Sequence, residues 1–107
     1  MARNIDGKIN ILSELIIQDF KLDPGDSLIN IKHLGDLKDK LEKIVAYLLD
    51  NDFERLLNAM YRLDINEEKF RLAVSGSGAN SVSREIVELI IAREIQKMKT
   101  RIQYSKR

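Results

Sequence analysis

An all-α fold, a compact bundle of four or five helices ending in a long C-terminal helix, is what this sequence predicts, and three observations carry the prediction. Apolar residues recur at three- and four-residue steps through most of the chain. One proline and five glycines in 107 residues leave few interior breaks. The one isoleucine-rich stretch that could suit a strand has no evident partner strand later in the chain. With 44% apolar residues there is material for one core and not two, so residues 1–107 are expected to form a single helical domain.

Within residues 1–35, Ile9, Leu12, Ile16 and Phe20 keep the helical period, while alternation breaks at Ser13. A helix is therefore expected from about Gly7 to Lys21, although the isoleucines up to Ile17 also suit a strand. Leu22-Asp23-Pro24-Gly25-Asp26 has turn chemistry, and Ser27 to Leu34 is expected to be an irregular or helical approach to the next element. From about residue 36 to 51, Leu37, Leu41, Ile44, Val45, Leu48 and Leu49 make an amphipathic stripe. Asp36 after Gly35 is its expected N-cap, and Asp36/Lys40 and Asp39/Lys43 place acid before base one turn apart.

Asp50-Asn51-Asp52 supplies capping side chains and a break, after which Phe53, Leu56, Leu57, Met60, Tyr61 and Leu63 form a second stripe to about Asp64. Asn66 is then placed to cap a short helix with Glu67 and Glu68 in its first turn and Phe70, Ala73 and Val74 on its buried side. The Ser75–Ser81 segment, rich in glycine and serine, is the expected loop before the longest helix, residues 81–104. In that helix Val82, Ile86, Val87, Leu89, Ile90 and Ile91 surround most of the circumference and demand several neighbours. Ile95, Met98 and Ile102 leave only a narrow seam, so the second half is expected to project from the body.

Several function classes are excluded or unsupported by residue type. With no cysteine, there are no disulfides, thiol catalysis or thiolate metal sites, and the composition fits a reducing compartment. No apolar run is long enough for a membrane span and MARNIDGKIN lacks the apolar region of a secretory signal, so a cytoplasmic location is expected. His33 is the sole histidine and has no zinc-ligand or triad partners in a recognisable pattern. Asp50, Asp52 and Glu54 lack the glycine and terminal glutamate of a calcium loop, and Asp64, Glu67 and Glu68 sit where helix starts favour acids. Ser81, Ser83 and Arg84 could hold an anion at the start of the long helix, but the spacing matches no phosphate loop and a cap is the simpler reading. Met60, Met98, Phe53, Tyr61 and Phe70 lie at helical spacings and are expected in the core, with Tyr61 also able to face a partner. No catalytic team and no cofactor box emerges, so a non-enzymatic protein without cofactor is expected.

Eighteen Lys+Arg against seventeen Asp+Glu leave a net charge of +1, with the basic excess near the C-terminus. Arg93, Lys97, Lys99, Arg101, Lys106 and Arg107, with Tyr104 as a stacking group, are the candidate contacts for nucleic acid, although cations also gather at helix C-termini because the helix dipole favours them. The first and last long helices look apolar on more faces than a small monomer easily covers. Ile16, Ile17, Ile91, Ile95, Met98 and Ile102 are therefore the candidate seam for a homodimer or for another helical protein. The sequence thus points first to a small protein that self-associates or binds protein, and second to a nucleic-acid-binding accessory protein.

Overall fold

The computed structural model describes residues 7–23, 28, 30–76 and 78–105, and among them the chain forms five helices and no strand. These are α1 (Ile9–Phe20), α2 (Leu34–Asn51), α3 (Phe53–Leu63), α4 (Glu67–Val74) and α5 (Val82–Ser105). No helix of the described residues is long and apolar enough to cross a membrane. The helix expected over the isoleucine-rich N-terminal segment forms as α1. The turn expected at Leu22 to Asp26 lies largely outside the described residues, but Leu28 and Ile31, in the approach to α2, are buried.

The long α5 is the axis of the assembly, with α1, α2, α3 and α4 all packed against it. Leu12, Ile16 and Phe20 from α1, Leu37 and Leu41 from α2, Leu56 and Leu63 from α3, and Ile86, Ile90 and Met98 from α5 meet in one cluster and are essentially sealed from solvent. Each such side chain contributes roughly 1.5–3 kcal/mol by leaving water. The short α4 buries only Ala73 fully and leans mainly on α5, with Phe70 half-buried and Leu72 and Val74 left at the surface.

Local chemistry sets the helix ends. Asp52 Oδ1 accepts the Arg55 N–H at 3.3 Å to cap α3, Asn66 Oδ1 accepts the Lys69 N–H at 3.0 Å to cap α4, and Ser81 Oγ accepts the Arg84 N–H at 3.2 Å to cap α5. α1 and α3 end alike, with Lys21 and Asp64 in the left-handed region. In each, the next two N–H groups fold back, Lys21 to Gln18 and Leu22 to Ile17, and Asp64 to Tyr61 and Ile65 to Met60. The sequence places the N-cap of α2 at Asp36, whereas the helix starts at Leu34. The main-chain oxygen of extended His33 accepts the Leu37 N–H at 3.1 Å, which moves Asp36 into the first turn, where its charge suits the helix dipole.

The second half of α5 does not project as expected, at least through Met98. Ile91 and Met98 are buried in the body, and so is Glu94, which the charge pattern places among solvated tail residues. The reason is tertiary. α1 lies along this half of the helix and covers the side that periodicity alone leaves with one narrow seam.

Candidate interaction surface

α3 carries more apolar surface than the core takes up. Leu56, Ala59, Met60 and Leu63 face inward and are buried, but Phe53, Leu57 and Tyr61, spaced at i, i+4 and i+8, form a second stripe beside them. Phe70 and Val74 of α4, also one turn apart, face this stripe across an open groove of about 520 Å³. Phe53 and Phe70 stack across it with ring centroids 6.5 Å apart and planes inclined by 26°, a geometry that aromatic pairs favour. Tyr61 is 73% exposed and Phe53 41%, so these two aromatics are not the core residues the sequence predicts. Because α4 is only eight residues long, it covers the α3 stripe incompletely. Glu67 and Arg71, one turn apart on α4, give the groove one charge of each sign.

The candidate seam residues are spread through the molecule. Ile16, Ile91 and Met98 are buried in the chain's own core, and Ile17, Ile95 and Ile102 are half-buried against it. In this packing the first three supply no surface to a partner. Of the groove residues the sequence analysis names Tyr61 alone as able to face a partner, and the width of the α3 stripe is the signal that carries the others.

The basic residues of α5 are similarly divided. Arg93 Nε donates to the Leu63 main-chain oxygen at 2.6 Å and its Nη1 to Gln96 at 2.9 Å, so it ties α5 to the end of α3. Lys97 Nζ reaches both carboxylate oxygens of Asp19, at 3.0 and 2.9 Å. Lys99 and Arg101 are exposed. The side chain of Tyr104, with Lys106 and Arg107, lies outside the described residues.

At the start of α5 the arrangement opposes an anion. Arg84 Nη1 is already held by Asp39 and Glu42, both at 3.1 Å, and Ser81 Oγ donates to Glu42 at 3.3 Å. A phosphate at this point would face two carboxylates. Ser77, within the same loop, lies outside the described residues. The adjacent Asn80 gives its main-chain and side-chain N–H groups to Glu85, at 3.3 and 3.1 Å, so the loop works as a helix cap. His33 sits exposed just before α2. Asp52 is engaged in capping, and among the described residues no three His, Asp or Glu side chains converge as ligands for a metal ion.

Comparison with protein-family models, with curated proteins and with solved structures finds no match to this chain.

Proposed function

We propose that the protein acts without catalysis, as a cytoplasmic interaction protein whose α3/α4 groove receives a second copy of the same chain. The observation that carries this reading is the open apolar groove itself, in which Phe53, Tyr61 and Val74 are all substantially exposed. Exposed aromatics over a pre-formed apolar depression are the anchor chemistry of protein interfaces. Charge favours a second copy as occupant. Two α4 helices paired antiparallel about a twofold axis set Glu67 of each opposite Arg71 of the other, and such reciprocal contact is what an isologous interface requires. Within one chain Arg71 reaches Glu68 at 3.2 Å, but both side chains are exposed, so that pairing contributes little and exchanges readily. The absence of cysteine supports the cytoplasmic part of the reading.

The test is solution mass by light scattering over a concentration series. The wild type is expected to approach twice the chain mass. Tyr61→Asp should return it to a monomer with the fold intact, because that side chain is already exposed. Glu67→Arg alone should weaken association by roughly tenfold or more, and adding Arg71→Glu should restore it. A wild-type monomer at every concentration overturns the self-association reading. The nucleic-acid reading ranks second, because Arg93 and Lys97 are engaged within the chain; retention of labelled RNA or DNA that falls steeply with salt would raise it above the first.

A further inference from the structure

Glu94 is fully buried, and no N–H or hydroxyl donor reaches either of its carboxyl oxygens. Asp19 of α1, only 7% exposed, is the second acid at this site. Two carboxyl groups can share a hydrogen bond only when one of them carries a proton. Both Asp19 oxygens accept from the Lys97 ammonium, which leaves Glu94 as the member of the pair that carries the proton. Burial, followed by the hydrogen bond to Asp19, pushes the Glu94 carboxyl up to about 8, against a smaller opposing pull from Lys97 and Arg101.

Apart from Lys97 and Arg101 of α5 itself, the charges on the surrounding helices are engaged elsewhere. Arg62 of α3 donates to the main-chain oxygen of Asp19 and not to its carboxylate. Lys38, Asp39 and Glu42 of α2 meet Arg84 and Glu88 at the other end of α5. On α4, Glu68 and Arg71 pair with each other, and Arg93 and Asp64 face one another at the α3 end. Lys97 is the cation bound to Asp19, and through it bridges α5 to α1.

We propose that Glu94 and Asp19 form a proton-operated latch between α5 and α1. With one proton on the pair, a single buried negative charge is matched by Lys97 and the helices stay closed. When Glu94 gives that proton to solvent, two buried carboxylates face one lysine, and the second half of α5 opens away from α1. The latch is independent of the α3/α4 groove and stands or falls without it.

The experiment uses the full chain with carboxyl-labelled glutamate, followed by NMR, together with amide-exchange protection along α5. The Glu94 carboxyl is expected to titrate well above the other glutamates. Protection of the amides from Glu94 to Ile102 is expected to fall by about tenfold or more from about pH 6 to about pH 9. Glu94→Gln, whose amide donates to Asp19 as the protonated acid does, should hold its protection within about twofold over the same range. Asp19→Asn should bring the Glu94 titration down towards the ordinary range. Glu94 titrating with the other glutamates overturns the latch, as does unchanged protection in the wild type or an equal fall in Glu94→Gln. The wild-type titration alone decides the matter should a variant fail to fold.

Discussion

Near its start α5 meets α2 through Arg84, whose guanidinium reaches Asp39 and Glu42 at 3.1 Å and Glu88 at 3.6 Å, all at the solvent boundary. Near its end it meets α1 through Lys97, Asp19 and Glu94, the two acids out of solvent. A cation set against acids is used at both ends, yet water decides what it contributes. At the start, solvent already stabilises each charge, so the network adds little and salt screens it. At the end, the Asp19 carboxylate has lost most of its hydration and depends on Lys97, so the contact responds to protons and to loss of a partner more than to salt.

The largest effect that breaks this contrast is expected from Lys97→Met. The methionine keeps the apolar stem of the lysine but leaves the Asp19 carboxylate without its counter-ion. Because Asp19's side chain is 10% exposed and Lys97's 31%, the loss in urea unfolding near neutral pH should be about 2–3 kcal/mol, at the lower edge of what breaking a buried pair costs. A loss below about 1 kcal/mol would place this bridge with the surface pairs and erase the difference between the two ends of α5.

Next in size is the pH dependence of the wild type. The folded-state value of Glu94, about 8, lies above the ordinary 4.5, so between them the folded chain binds a proton that the unfolded chain has released. Its stabilising contribution is complete below the lower value and is lost as pH rises through the upper one. Unfolding free energy should therefore fall by at most about 1.4 kcal/mol per pH unit in that window and level off above it. Glu94→Gln should flatten the curve. A wild-type curve that is flat from about pH 6 to about pH 8 would remove the proton from the α1/α5 contact.

The unequal legibility of the molecule has the same physical root. Helix starts at Phe53, Glu67 and Val82 are readable because Asp52, Asn66 and Ser81 act on N–H groups only three residues away. The period of α1 is readable because its inward residues lie on one face. Glu94 is not readable. A lone acid amid six basic residues looks solvated, and only α1, some 75 positions earlier in the chain, buries it. The arginines that reach main-chain oxygens across the fold are hidden for the same reason: Arg55 meets Phe20 and Arg93 meets Leu63, and no local pattern records a distant carbonyl. The groove lies between these cases. The stripe of Phe53, Leu57 and Tyr61 is plain in the sequence, but that it stays open depends on how short α4 is and where it packs.

The smallest effect sharpens the contrast from the exposed end. Arg84→Ala removes the cation that Asp39, Glu42 and Glu88 share, and leaves Asp39 and Glu42 without it while Glu88 keeps Lys38 at 3.0 Å. Because its partners Asp39, Glu42 and Glu88 are 71%, 33% and 43% exposed, its removal should destabilise the fold by less than either change above. The effect should come chiefly from repulsion among the remaining carboxylates. That repulsion is screened over about 3 Å in molar salt, so the variant and the wild type should converge in unfolding midpoint when salt is added. Lys97→Met should keep most of its deficit under the same salt, since the Asp19 carboxylate it leaves unpaired is only 10% exposed. If Arg84→Ala kept its deficit instead, the α2/α5 network would be as dehydrated as the acid pair, and charge would hold both ends of α5 in the same way.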